Sequence, residues 1–311
     1  MKRKSKKYLW RIGLLFLPLI VLGFRTPLFT RALQVIPGAT LVPGVQDTRP
    51  PRIDYSAQLL QGVEYTRQVR SHPRPLVIHT VSIDLTAPDI GFLVTPAKPG
   101  VEIAARTTST FLQEFGVQVA INGSYFEPTW AGMPWDYYPH SGDPVRVKGL
   151  AISGSTAYSQ SLEGWPTLCI AGARVFIDRP GCPSETAQAL AGNRLLVDNG
   201  LAVKYENDHL HPRTAVAATA DGARLWLIVI DGRQRNYSEG VTLAELAEII
   251  RELGADMAIN LDGGGSSTLV RAGPGGPQIL NAPIHTNIAM RQRPVANHLG
   301  IYAGALDFFP D

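Results

Sequence analysis

The sequence predicts an α+β fold: mixed, largely antiparallel sheets with a few packed helices, gathered in one domain. Three observations lead there. Short strand-like apolar runs clearly outnumber amphipathic helical ones along the 311 residues. Consecutive runs are joined by tight turns such as Asp221-Gly222, not by crossover helices, so the pattern is not the alternating βαβ of a parallel sheet. No fixed-period repeat and no low-complexity tract interrupts the pattern.

Residues 1–24 read as a signal or anchor. Lys2, Arg3, Lys4, Lys6, Lys7 and Arg11 precede thirteen apolar residues, Ile12 to Phe24. Thirteen residues make about 20 Å of helix, the length of a signal-peptide core and short of a bilayer's roughly 30 Å. Including Tyr8 to Trp10, with Arg11 snorkelling, would let the segment span. No clean cleavage motif follows it. A membrane anchor and a cleaved signal therefore both stay open, and either puts the remainder outside the cytoplasm. Residues 25–74 are Pro-rich and polar, punctuated by Thr48-Arg-Pro-Pro-Arg52. They read as a tether and lead-in with an edge strand near Val63 to Gln68.

The folded domain is expected over residues 75–305. Leu76–Leu85 and Ile90–Thr95 read as neighbouring strands across a turn at Ala87 to Asp89. Thr107–Phe115 reads as a short helix stopped by Gly116. Val117–Asn122 is a strand. A long loop from Glu127 to Asp143 carries Trp130, Trp135, Tyr137 and Tyr138, either to stack on sugar faces or to pack as a lid. Further strands are expected at Val147–Ile152, Thr167–Ile170, Ala173–Ile177 and Arg194–Lys204. Thr214–Ala220 and Leu225–Ile230 form a hairpin. Leu243, Leu246, Ile249, Ile250 and Leu253 recur at helical spacing up to Gly254. Gly300–Ala303 closes the domain.

The chain carries 29 basic and 26 acidic residues, a net charge of +3, and 45% of it is hydrophobic. Setting aside the six N-terminal cations leaves 23 basic against 26 acidic residues, about −3. A mildly acidic domain argues against a nucleic-acid surface. The two cysteines, Cys169 and Cys182, flank one strand and a Pro-Gly turn. In an exported chain a lone pair reads as a disulfide, two buried thiols being the alternative.

The densest polar pattern is Ala258-Ile-Asn260-Leu-Asp262-Gly263-Gly264-Gly265-Ser266-Ser267-Thr268. Here a strand ends on a carboxylate, three glycines bring backbone N–H groups within reach of a ligand, and three hydroxyls follow. No Gly-Lys-Ser/Thr accompanies the glycines, which excludes a nucleotide P-loop. Four other polar clusters sit at strand ends: Asn122-Gly123-Ser124-Tyr125, His211-Pro-Arg213-Thr214, Asp231-Gly-Arg233 and Arg293-Pro-Val-Ala-Asn297-His298. Charged groups at the ends of apolar strands point to one shared, solvated pocket. Arg213 suits a two-pronged grip on phosphate. Asp262 and Asp231 suit an acid/base or acid/nucleophile pair. Asn122 and Asn260 suit sugar hydroxyls or the orienting of a carboxylate. Gly123, Tyr125, Thr214, Arg233 and Asn297 are expected beside them, with Gly263 to Ser267, as substrate-binding residues. A hard divalent cation such as Ca²⁺ or Mg²⁺ would take oxygen ligands of the kind Asp231 and Asp262 offer. His209-x-His211 is either half a metal site or a solvated pair.

These blocks, in this order between about Pro75 and Ala303, resemble the phosphodiester glycosidase family. That family includes N-acetylglucosamine-1-phosphodiester α-N-acetylglucosaminidases and bacterial exported proteins labelled as exopolysaccharide-biosynthesis proteins. Asn260-Leu-Asp-Gly-Gly-Gly-Ser-Ser-Thr268 is its specific signature; Asp231-Gly-Arg233 alone would be weak. Family members more often carry Gly and Phe at the positions of Ser124 and Tyr125, and Gly at that of Ala217. The resemblance implies hydrolysis of a sugar-1-phosphodiester bond in a glycan or cell-envelope polymer. The alternative is a non-catalytic envelope or exopolysaccharide-binding protein that uses the same pocket.

Overall fold

A computed structural model describes residues 47–129, 139–178, 181–206 and 209–306. The signal or anchor segment lies outside them, as do Trp130, Trp135, Tyr137 and Tyr138. Among the described residues, no helix is long and apolar enough to cross a membrane.

The chain is dominated by strands because apolar and β-branched residues run in short stretches cut by Gly, Pro and Asn turns. Two α-helices are present among the described residues. All pairs of named strands are antiparallel, and the parallel pairing is an isolated bridge, Ile284 with Arg291. The fold is therefore more β-rich, and less mixed, than the sequence suggests.

The largest sheet has eight strands. Its centre is the hairpin Arg213–Ala218 and Arg224–Ile230. Leu76–Asp84 pairs with Arg224–Ile230, and Met257–Asn260 with Arg213–Ala218. Both faces of this centre are covered, which explains the unbroken apolar runs. One face (Ala215, Ala217, Ile228, Ile230) packs on the helix Leu243–Glu252 through Leu246, Ala247 and Ile250. Thr242 caps that helix in a reciprocal capping box with Glu245. The other face (Val216, Leu227, Val229, Ile259) packs against Ile121, Leu269, Leu299 and Ile301 of a five-stranded sheet. That second sheet contains Val119–Asn122, Leu269–Gly273 and His298–Tyr302. The site therefore lies on a two-layered scaffold held by one shared core.

Three local expectations differ from the structure. The strand expected at an edge, Val63–Arg70, is interior to the large sheet, with Tyr55–Leu60 outside it and Leu76–Asp84 inside. Its buried face is Val63, Tyr65 and Arg67, a period-2 stripe that a charged residue disguises. Gly91–Val94 does not neighbour Leu76–Asp84; it pairs with His298–Tyr302 in the other sheet. The turn between them is redirected where Asp84 accepts from the backbone and hydroxyl of Thr86. Val147–Ile152 is two strands, Pro144–Val147 and Ala151–Ser153, in different sheets. The break is Gly149, at φ 84°, where a Cβ would lie 2.5 Å from that of Ala191.

Cys169, on the strand Thr167–Ala171, and Cys182, beyond its partner strand Arg174–Asp178, form a disulfide. Closing a loop of this length contributes about 3 kcal/mol. Alkylation without reductant should add no label in an intact mass, and reduction should lower the denaturation midpoint accordingly. Two labelled thiols in unreduced protein would contradict the bond.

Candidate active site

Antiparallel pairing sets the start of one strand beside the end of the next. Arg213 lies opposite Ile230, just ahead of Asp231, and Ala215 lies opposite Asn260. In the second sheet, Asn122 pairs with His298, next to Asn297. The five polar clusters thus lie at matching ends of the two sheets.

They divide into a cleft wall and a buried frame. A cleft of about 260 Å³ is walled by Asp262 and Gly263 to Gly265, by His211, Pro212 and Arg213, and by Tyr125, Arg233 and Arg293. The frame behind it is Asn122, Thr214, Ser267, Asn260 and Asn297. Asn122 donates to the Asp262 carbonyl at 2.6 Å and accepts from Thr214 Oγ1 at 3.0 Å and Thr268 N at 3.1 Å. Thr214 Oγ1 is also 3.1 Å from Ser267 Oγ. Asn297 Oδ1 accepts from the backbone of Ser124, and the Asn297 carbonyl from Gly123. Gly123 has no room for a side chain, since a Cβ would lie 2.5 Å from Asn297 Oδ1. Asn260 donates to Tyr125 Oη at 2.9 Å and to Asn193 at 2.8 Å. Asn122, Asn260, Thr214, Ser267 and Asn297 are all buried. They hold the wall in place, and the hydroxyls of the glycine stretch turn inward with them.

Asp262 is the carboxylate of the cleft. Burial raises its pKa from 3.8 to about 6, against the Ser266 hydroxyl, Arg293 and the Gly263 N–H, which favour its charge. Ser266 Oγ donates to Asp262 Oδ2 at 2.6 Å, and Arg293 Nη1 donates to Ser266 Oγ at 3.2 Å. Arg293 Nε donates to His285 Nδ1 at 3.2 Å. Burial first, then Arg293 and Arg291, lowers the His285 pKa to about 4, so the ring is neutral and accepts this bond. A chain of contacts therefore runs His285, Arg293, Ser266, Asp262. A Cβ at Gly265 would lie 2.6 Å from Arg293 Nη2, so the missing side chain makes space for the guanidinium.

Tyr125 sits beside this group. Burial, then the charge of Asp262, raises its pKa to about 12, so the phenol keeps its proton. Arg233 is exposed at the rim with φ 58°, and its Nη2 lies 2.9 Å from His211 Nδ1. A non-glycine residue in the left-handed region is uncommon and costs of order 1 kcal/mol or more. His211 thus contacts an arginine at the cleft wall.

Two expectations change in their detail. Arg213 lines the cleft but spends its Nε on the Val241 carbonyl at 3.1 Å and Nη2 on the His209 carbonyl at 3.0 Å. It ties the loop ahead of its own strand to the segment ahead of the helix Leu243–Glu252. Asp231 is not on the cleft wall. It is 1% exposed, with Oδ2 2.9 Å from His79 Nε2 and Oδ1 accepting from Asn281 at 3.0 Å and Ala282 N at 2.9 Å. His79 Nδ1 in turn contacts Tyr65 Oη at 2.8 Å. A carboxylate, acceptor-only when ionised, takes the His79 N–H, leaving Nδ1 to accept from Tyr65. Among the described residues, no three His, Cys, Asp or Glu side chains gather as a metal site. With both Asp231 oxygens engaged, Asp231 and Asp262 do not form the donor set that Ca²⁺ or Mg²⁺ requires.

His79, Asn281, His285 and Arg293 escape a local reading as site residues. Only Arg293 carried a signal, as the first residue of a polar cluster. The other three sit in apolar or loop stretches with no motif around them.

Residues 115–302 match the phosphodiester glycosidase family. The chain belongs to that family. No functionally curated protein matches the sequence. Several solved structures share the fold, three of them as follows. A hypothetical protein from Synechocystis superposes with a TM-score of 0.60 at 16% identity, covering 82% of this chain and 64% of its own. A putative exported protein from Burkholderia pseudomallei gives 0.57 at 14%, with 75% of each chain covered. The zebrafish N-acetylglucosamine-1-phosphodiester α-N-acetylglucosaminidase catalytic domain, auto-inhibited by its pro-peptide, gives 0.55 at 18%, with 82% of this chain and 84% of its own covered. Family membership supports a glycosidase-type hydrolase, and the disulfide fits an extracytoplasmic location.

The raised pKa of Asp262 has a cost in stability. The folded state holds its proton up to about pH 6 and the unfolded chain to about 3.8. Stability from this group is therefore full below pH 4 and falls as pH rises to 6. Asp262→Asn should stabilise the fold at pH 7 by at most about 3 kcal/mol, less as solvent reaches the carboxyl. The gain should vanish at pH 4 in urea titrations.

Proposed function

We propose that this protein is an exported hydrolase that cleaves sugar-1-phosphodiester linkages in a glycan or cell-envelope polymer. The observation that carries this reading is the pairing of one carboxyl of raised pKa with Arg233 and Arg293 around a glycine turn in an open cleft. Arginine suits the planar, bidentate binding of phosphate oxygens. The Gly264 N–H is taken by the Pro212 carbonyl, so the turn offers the phosphate fewer backbone donors than its sequence suggests, and the arginines carry its charge.

Among the described residues, Asp262 is the one carboxyl on the cleft wall, and one carboxyl suits the bond. An ordinary glycosidase needs a second carboxyl to protonate a poor alkoxide leaving group. A phosphate monoester leaves as a stable anion, and two guanidiniums stabilise it further. Asp262, ionised above about pH 6, removes a proton from water as the water oxygen bonds to the anomeric carbon. The bond from that carbon to the phosphate oxygen breaks, and its electron pair leaves with the phosphate. Ser266 orients Asp262, and Tyr125, with its proton retained, donates to a substrate oxygen. Asp231 acts as a positioning residue through Asn281, which also donates to the Ser267 carbonyl.

The test is a panel of sugar-1-phosphodiesters, with and without EDTA. Turnover is expected, with kcat/KM rising through about pH 6. Asp262→Asn should lower kcat by 10²–10⁴. Arg293→Ala should raise KM by about ten- to a hundredfold, the worth of a charged hydrogen bond. Binding without turnover would favour the non-catalytic reading. A rate that falls above pH 6 would make Asp262 an acid and overturn its role as base.

The six cations and apolar run at the N-terminus support attachment to, or passage through, a membrane. A C-terminal fusion to a reporter active only in the cytoplasm should stay silent. A strong signal would place the domain inside.

A further inference from the structure

A second cavity, of about 400 Å³, shares no lining residue with the cleft. Its walls come from the Val63–Arg70 strand, from the hairpin Leu269–Gly273 and Gly276–Ile279, and from the Pro50-Pro51 segment. Arg49, Arg67 and Arg271 line it, and among the described residues no acidic side chain does.

Arg67 is the informative residue. It is 9% exposed, its Nε donates to the Ile53 carbonyl at 3.0 Å, and its guanidinium lies 5.5 Å from the centre of the Tyr55 ring. Among the described residues its two terminal nitrogens meet no protein acceptor. Arg271 Nε donates to a neutral partner, Gln278 Oε1, at 2.9 Å. Burying a guanidinium without a carboxylate is costly, and an anion in the cavity would offset that cost. The Tyr65 phenol lies close to both cations: burial raises its pKa, while Arg67 and Arg271 oppose the rise. Much of the remaining wall is aromatic or apolar. Tyr55 is 46% exposed, with its ring 6.0 Å from that of Tyr65, and Pro51 and Met290 complete the surface. Exposed rings beside cations suit a ligand with both a ring face and an oxyanion.

We propose that this cavity is a second binding site that takes a sugar phosphate, its phosphate held by Arg67 and Arg271 and its ring stacked on Tyr55. The site does not depend on hydrolysis in the cleft. It is nonetheless connected to it, since Tyr65 contacts His79, His79 contacts Asp231, and Asn281 joins Asp231 to the Ser267 carbonyl of the glycine turn.

The test is calorimetric titration of the full-length chain with glucose 1-phosphate and, separately, inorganic phosphate. Cleft binding is first removed with Arg233→Ala and Arg293→Ala together. One site for glucose 1-phosphate should remain, at least tenfold tighter than for inorganic phosphate. Adding Arg67→Gln or Arg271→Gln should weaken it at least tenfold. Should Arg67→Gln fail to fold, Arg271→Gln on its half-exposed hairpin carries the comparison. No binding to the cleft variant, or binding indifferent to Arg271→Gln, would overturn the proposal. Equal affinity for inorganic phosphate would overturn the sugar-phosphate assignment.

Discussion

The site depends on one buried amide. The Asn122 side chain ends a strand of the second sheet, yet it binds Thr214 of the first sheet, the carbonyl of Asp262 and the backbone of Thr268. It is wholly buried. An amide in that position must satisfy both its oxygen and its nitrogen, because an unmade buried hydrogen bond costs about 1–3 kcal/mol. The two sheets are therefore fixed relative to each other where the glycine turn leaves them. Hydrophobic packing between the layers is strong but has no direction; Asn122 supplies the register.

Around that anchor, charge is arranged with little surplus of partners. Asp262 is pushed toward neutrality by burial and pulled toward ionisation by Ser266 and Arg293. The balance leaves it near the pH at which a proton-transfer group is most effective. Arg293 reaches the turn only because Gly265 has no side chain, and neutral His285 holds its Nε. Three separate segments thus set one carboxyl. Stability is given up at Asp262 and at the left-handed Arg233, both on the cleft wall, as expected where function and folding compete.

Asp231 has the other role open to a buried carboxylate. Four groups engage it or its partner: His79, Asn281, Ala282 N and, through His79, Tyr65. Such a group holds the loop after the glycine turn and has no free oxygen for chemistry. The same network brings the arginine-lined second cavity within a few hydrogen bonds of the cleft.

The sequence alone determined the strand-rich class, the helix under the large sheet, the cysteine pair and the five polar clusters. Each is a local property: periodicity, a capping residue, a motif of adjacent residues. Thr242 with Glu245, and Asp262 with its glycines, need no distant partner to be recognised. The division of labour within the site was decided by tertiary structure. Asp231 and Asp262 are both carboxylates at strand ends next to glycine, and their local sequence does not say which of them faces a cleft. What separates them is enclosure by His79 and Asn281 in one case and a place on the cleft wall beside Ser266 and Arg293 in the other. The inward turn of Asn122, the use of Arg213 as a backbone clamp and the recruitment of His285 follow from contacts between residues far apart in the chain. Hydrogen-bond partners and desolvation are set by which strands become neighbours, and the hydrophobic pattern leaves that choice open.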